Sequence, residues 1–121
     1  MKAKEKAIRE EAEDILLDLG ITPNIMGFGY IRDGVEMAVK DQGVLSKMTT
    51  KLYPAIAEKN DSKPQRVERA IRHAIELVYN RSDLADIDRT FRGLGSPEKG
   101  KATNGEFLAA MTLKVQRKLG L

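Results

Sequence analysis

Cysteine is absent from this chain. Its absence excludes disulfides, thiol nucleophiles and cysteine zinc sites, and it fits a reducing cytoplasm. Long apolar runs are absent too. None approaches the ~20 residues that a membrane span needs, and residues 1–19 mix charges without the apolar centre of an export signal. A cytoplasmic location with no membrane partner is the expectation. Histidine is scarce. His73 stands alone, with no Ser or Cys nucleophile at a recognisable spacing, so general-base work is not expected of it. The acids Asp83, Asp86 and Asp88 lack the D-x-D-x-D-G spacing of a calcium loop. The GFG run at 27–29 follows no strand and lacks both GxGxxG and Gly-Lys-Ser/Thr, so it is not read as a phosphate loop. There is no internal repeat, heptad array or low-complexity tract. These absences leave no catalytic residue, metal site or cofactor to assign, and an enzyme is not expected.

The 121 residues are 41% hydrophobic and 32% charged. That balance fits a folded soluble chain rather than a disordered one. One helical domain over 1–121 is expected, with the first ~10 residues solvated and prone to fraying. The net charge of +3 is unevenly placed. Residues 1–60 hold 9 basic and 10 acidic side chains, whereas residues 61–121 hold 12 and 8. A basic excess confined to one half favours an anionic partner.

Helical spacing of apolar residues recurs along the chain. Ala7 or Ile8, with Ala12, Ile15, Leu16 and Leu19, mark a first helix over Lys2 to Leu19, with Gly20 as its left-handed stop, Ile21 as the following hydrophobic contact and Pro23 blocking continuation. Residues 24–40 suit a second helix through Ile25, Phe28, Ile31, Val35, Ala38 and Val39, with Asn24 as its cap. Gly27, Gly29 and Gly34 weaken it by up to about 1 kcal/mol each relative to Ala, so a weak or late-starting helix held by packing is expected. A third helix is expected over 44–59, with Leu45, Met48, Leu52, Ile56 and Ala57 inward and a kink near Lys51 caused by Pro54. Ser62 and Gln65 have the spacing of a capping box, and Pro64 lies in the first turn of the helix that follows. Ser82 is read as the cap of a helix over 83–91, with Leu84, Ile87 and Phe91 inward. A Gly/Pro/Lys loop follows over 92–102. Thr103 and Glu106 form a second capping box ahead of a last helix to about 119, which Gly120 ends. The fold class is therefore all-α, with about six helices.

Residues 64–79, PQRVERAIRHAIELVY, carry the most informative pattern. Val67, Ala70, Ile71, Ala74 and Val78 share one third of the circumference. Gln65, Arg69, Arg72 and Glu76 lie opposite, with Glu68 and Tyr79 on one shoulder and Arg66 and His73 on the other. Such a charged face is ordinarily just solvated, and Glu68–Arg72 and Arg72–Glu76 are common i,i+4 pairs. However, Arg and Gln are also the side chains that pair bidentately with guanine and adenine edges in a major groove. A helix, a short break and a second amphipathic helix, at 44–59 and 63–80, make a helix-turn-helix pattern. Lys99 and Lys101, on the later loop, suit phosphate contact without sequence preference, and simple solvation explains them equally well.

RVERAIRHAIE, at 66–76, resembles the recognition-helix signature of the C-terminal effector domain of the stage-zero sporulation response regulator of endospore-forming bacteria. LYPAIA at 52–57 is similar to that family's preceding helix. TNGEF at 103–107 is similar to its last helix start, usually TNSEF. The residues before Gly20, and Tyr30-Ile31-Arg32 with Met37, are similar to its first two helices. The likeness covers about residues 12–119. It implies a six-helix domain that binds TGTCGAA-type sites on double-stranded DNA, often as tandem head-to-tail copies, and that regulates transcription through RNA polymerase sigma factors. It implies base reading by Glu68, Arg69 and Arg72, and backbone contact by Arg66 and His73. It also implies a polymerase contact in the segment holding Asp83, Asp86 and Asp88. There are departures. Gln65 replaces Ser at the end that meets base edges, which opens the site preference to change. Lys63 and Pro64 replace small or hydroxyl residues, and Lys63 adds a candidate phosphate contact. Asn60 replaces an aromatic in the turn. The phosphoacceptor receiver domain lies outside the likeness, which leaves a fragment or a naturally short protein as alternatives.

The expectation is a sequence-specific transcription regulator with Gln65, Glu68, Arg69 and Arg72 on bases and Lys63, Arg66, His73, Lys99 and Lys101 on the backbone. The rival reading is a protein-interaction module that binds a sigma factor or a full-length regulator rather than DNA, with the acidic 83–88 segment as its sequence hint.

Overall fold

The computed structural model describes residues 2–121, and among them there is helix but no strand. Six α-helices follow in order: α1 (Ala3–Asp18), α2 (Met26–Lys40), α3 (Tyr53–Lys59), α4 (Pro64–Arg81), α5 (Leu84–Thr90) and α6 (Asn104–Leu119). α2 lies at the centre and packs on α1, α4 and α6. α4 rests on α2, α3 and α6. Ile31, Val35, Leu52, Ile56, Ile71, Val78, Leu108 and Met111 are fully buried between these helices. Each such side chain contributes roughly 1.5–3 kcal/mol of transfer free energy.

The end of α1 is as expected. Gly20 has φ +84, its N–H bonds the Leu17 carbonyl, and the Ile21 N–H reaches the Leu16 carbonyl. This pair of bonds is a Schellman closure, and it turns Ile21 into the core. The capping box at α6 also forms: Thr103 Oγ1 accepts from the Glu106 N–H, and Glu106 accepts from the Thr103 N–H.

Four local expectations are corrected. α2 starts late, at Met26 after an extended Ile25, as expected, but Asn24 does not cap it, because its side chain is held by the Thr22 hydroxyl. The glycines of α2 are contact points as well as weak helix formers. A Cβ on Gly27 would lie 2.5 Å from the Ala70 carbonyl oxygen and 2.7 Å from the Ala74 Cβ. Gly27 therefore lets α2 cross close against α4.

The expected helix over 44–59 is three pieces. Gln42–Ser46 is a 3₁₀ turn capped by Asp41. Lys47 breaks the helical path at φ −130, ψ 49. Met48–Leu52 is a π turn in which the Leu52 N–H reaches back to the Lys47 carbonyl. α3 then begins with Pro54 in its first turn, where the missing N–H costs nothing. Leu52 and Tyr53 both keep αR backbone, so the π turn runs on into α3, and the irregularity expected near Lys51 from Pro54 takes the form of this π turn.

The Ser62–Gln65 box does not form. Ser62 Oγ instead accepts a hydrogen bond from the Tyr30 hydroxyl at 3.2 Å. The extended capping conformation falls one residue later, on Lys63. Likewise Ser82 closes α4, and Asp83 is the residue before α5. That one-residue shift leaves Leu84 37% exposed rather than inward, while Ile87 and Phe91 are buried.

Candidate nucleic-acid interface

The residues between α3 and α4 form a tight turn. Asp61 takes φ 50, a left-handed conformation that Asp tolerates better than most residues. The Ser62 N–H bonds the Ala57 carbonyl at 2.8 Å. Asn60 binds this turn to the body of the protein. Its side-chain amide donates to the Ile56 carbonyl at 2.8 Å and to Asp33 Oδ2 at 2.9 Å. Asp33 is 1% exposed, and it also accepts from Arg9 at 2.9 Å and Lys59 at 3.4 Å. Glu36, beside it, takes a second bond from Arg9 at 2.7 Å. Burial pushes the Asp33 carboxyl up, but hydrogen bonds from Asn60 and Arg9 and the charges of Lys59 and Arg32 outweigh it and hold it below its ordinary value. Glu36 is lowered in the same way, by Arg9 and Lys40 against burial. This ionic cluster joins α1, α2 and α3 to the turn.

The turn leads directly into α4. Val67, Ile71, Ala74, Ile75 and Val78 are buried along its inner face. Gln65, Arg66, Arg69, Arg72, His73 and Glu76 are exposed on the outer side, and Lys63 is exposed just before it. Glu68 is half-buried and stands 3.6 Å from Arg72. Both partners of that ion pair remain substantially solvated, so it contributes little stability.

Behind this face, α4 is braced from α6. Asn104 Nδ2 donates to the Tyr53 hydroxyl and to the Glu68 carbonyl, each at 3.1 Å. A cleft of about 370 Å³ opens at this junction, between Arg72 and Glu76 on one side and Lys101 and Gly105 on the other. The 92–102 loop is tied to the same helix. The Tyr79 hydroxyl donates to the Leu94 carbonyl at 2.6 Å and accepts from the Ala102 N–H at 3.2 Å. Lys99 is paired with Glu106. Its hydrogen bond, with the Thr103 N–H, holds the Glu106 carboxyl down at about 2. Lys101 is exposed at the rim of the cleft.

Comparison with known protein families gives a match to "Sporulation initiation factor Spo0A C terminal" over residues 12–115. The chain belongs to that family. Spo0A C-terminal domains are DNA-binding effector domains that regulate transcription in sporulation. The matched span holds α3, the turn, α4 and the Lys-bearing loop. The α3–turn–α4 arrangement is compatible with a helix-turn-helix. No helix among the described residues is long and apolar enough to cross a membrane.

Within this Spo0A-type domain, the three acids of the α5 segment have separate surroundings. Asp83 is exposed. Asp86 pairs with Arg89. Asp88 Oδ1 accepts from the Gly93 N–H at 2.8 Å and the Gly95 N–H at 3.3 Å, so it closes the loop after α5. The edge-to-face contact of Phe91 with Phe107, centroids 5.3 Å apart, holds that loop on α6. Sequence reasoning missed the supporting residues Tyr53, Asn104, Tyr79 and Asp33. TNGEF marks a helix start, yet nothing local says that its Asn reaches the backbone of α4. Asp33 and its partners lie 24 to 27 residues apart in the chain.

Proposed function

We propose that this protein reads a TGTCGAA-like site in double-stranded DNA by laying α4 in the major groove. The observation that carries the reading is the exposed row of Gln65, Arg69 and Arg72 on a helix presented by a tight, braced turn. Arg69 and Arg72 pair with guanines. Glu68 accepts from a cytosine amine or steadies Arg72, which it already approaches. Gln65, at the N-terminal end of the helix, faces an adenine. Lys63, Arg66, His73, Lys99 and Lys101 contact phosphates and set the register. On tandem sites two copies lie head to tail, and the α5 segment with Asp83 meets a polymerase sigma factor. The protein acts in the cytoplasm, on the nucleoid.

Selection from random duplexes tests the site. The recovered sequences are expected to share a TGTCGAA-like core, with a change at the base that Gln65 meets. Recovery of no common motif contradicts the reading. Arg69→Ala is expected to cost about 1–3 kcal/mol on the selected site and to relax the preference at one base. Equal affinity of the variant and the parent in a direct titration would reject that role for Arg69.

A further inference from the structure

The outer face of α6 carries a second basic surface, at the far end of the helix from α4. Asn104, at the start of α6, touches the Glu68 carbonyl. At about 1.5 Å per residue, Ala110 lies roughly 9 Å further along the helix and Lys118 roughly 21 Å. Ala110, Leu113, Lys114, Arg117 and Lys118 follow i, i+3, i+4, i+7, i+8 spacing, so they share one face. The buried stripe of Phe107, Leu108, Met111 and Val115 lies on the other.

A groove of about 570 Å³ runs between this face and the end of α5. Arg89, Arg92, Lys114, Arg117 and Lys118 rim it, against a single acid, Glu11. Only Arg89 has an acidic partner among the described residues, namely Asp86. The groove is not purely ionic. Phe91 and Ala110 line it, and Leu113 stands 46% exposed within it. A phosphate backbone would satisfy the cations and leave the leucine in water. An amphipathic helix with an acidic flank would satisfy both.

We infer that this groove is a docking surface for an acidic amphipathic helix of a partner protein. The partner's apolar stripe covers Leu113, and its carboxylates meet Arg92, Lys114 and Arg117. This surface is separate from the α4 reading and stands or falls without it.

The test uses the full chain, isotope-labelled, and two synthetic amphipathic helices. Both carry the same leucine stripe. One has Glu on its polar flanks and the other has Lys. The Glu peptide is expected to bind saturably and at least about tenfold more tightly than the Lys peptide. Amide shift changes are expected to cluster at Arg92, Leu113, Lys114 and Arg117. Lys114→Glu with Arg117→Glu is expected to abolish that binding, and Leu113→Ala to weaken it. Leu113 and Arg117 are exposed and Lys114 is half-buried, and the circular dichroism of both variants should match the parent's. No difference between the two peptides, or shifts mapping elsewhere, would overturn the inference. So would loss of duplex binding in the charge-reversed variant, since that would make the groove part of the nucleic-acid surface.

Discussion

Asp33 illustrates what a single buried charge does in this protein. It holds three cations and one amide around two carboxylate oxygens. Replacing it with Ala leaves Arg9 with Glu36 and Asn60 with the Ile56 carbonyl as remaining acceptors, so Asp33→Ala is expected to destabilise the fold by about 1–3 kcal/mol in chemical denaturation. The pH dependence has a definite sign. Asp33 and Glu36 are held below their ordinary values in the fold. Their contribution is therefore complete above about pH 5 and is lost as pH falls through the lowered values. The melting temperature should drop from about pH 5 towards pH 2. Asp33→Asn should start lower at neutral pH and show a shallower acid limb. An unchanged acid limb in that variant would contradict the role given to Asp33. None of this was legible in the sequence, because Arg9, Lys59 and Asn60 lie 24 to 27 residues from Asp33.

The two loop lysines differ at the same scale. Lys101 is exposed, whereas Lys99 is paired with Glu106. On the proposed interface, Lys101→Ala should reduce the salt slope of DNA binding by about one. Lys99→Ala should reduce it by less, because Lys99 must first leave Glu106. Equal effects of the two in titrations over a salt series would count against the pairing.

At the level of elements, what could be read from the sequence was what neighbouring residues decide among themselves. The Gly20 stop and the Thr103–Glu106 box are closed by residues three to five apart, and both are present. The Ser62 box failed because a tyrosine 32 residues away engages the hydroxyl. The π turn before α3 could not be read either. Apolar spacing over 44–59 suits one helix, but the path breaks at Lys47, and Pro54 is accommodated by the π turn that runs into α3. Gly27 is the clearest case of a residue whose meaning is tertiary. Helix propensity alone says that Ala at 27 or 29 should stabilise by up to about 1 kcal/mol. The contacts separate the two positions. Gly27→Ala drives a methyl into the Ala70 carbonyl, and it should destabilise by about 1–3 kcal/mol. Gly29→Ala meets only the far end of Arg32 at 3.5 Å, and it should stabilise. Thermal melts of the two variants shifting in the same direction would contradict this account of the α2–α4 crossing.

For the whole molecule, the uneven charge seen in the sequence resolves into two surfaces. One is the outer row of α4 with Lys63 and Lys101. The other is the rim of the α6 groove. The helical architecture and the family were legible because the apolar stripes and the RVERAIRHAIE run are local in the chain. The bracing of α4 by Asn104, Tyr53 and Tyr79 was not, since it joins segments brought together only by folding. The central claim is specific reading of DNA by α4. Fluorescence anisotropy with a TGTCGAA duplex and a scrambled duplex, each at two salt concentrations, tests it most directly. The account predicts a preference of about a thousandfold or more for the TGTCGAA duplex, kept at both salt concentrations. Weak binding to both duplexes, lost equally as salt rises, would contradict it and favour the protein-interaction reading.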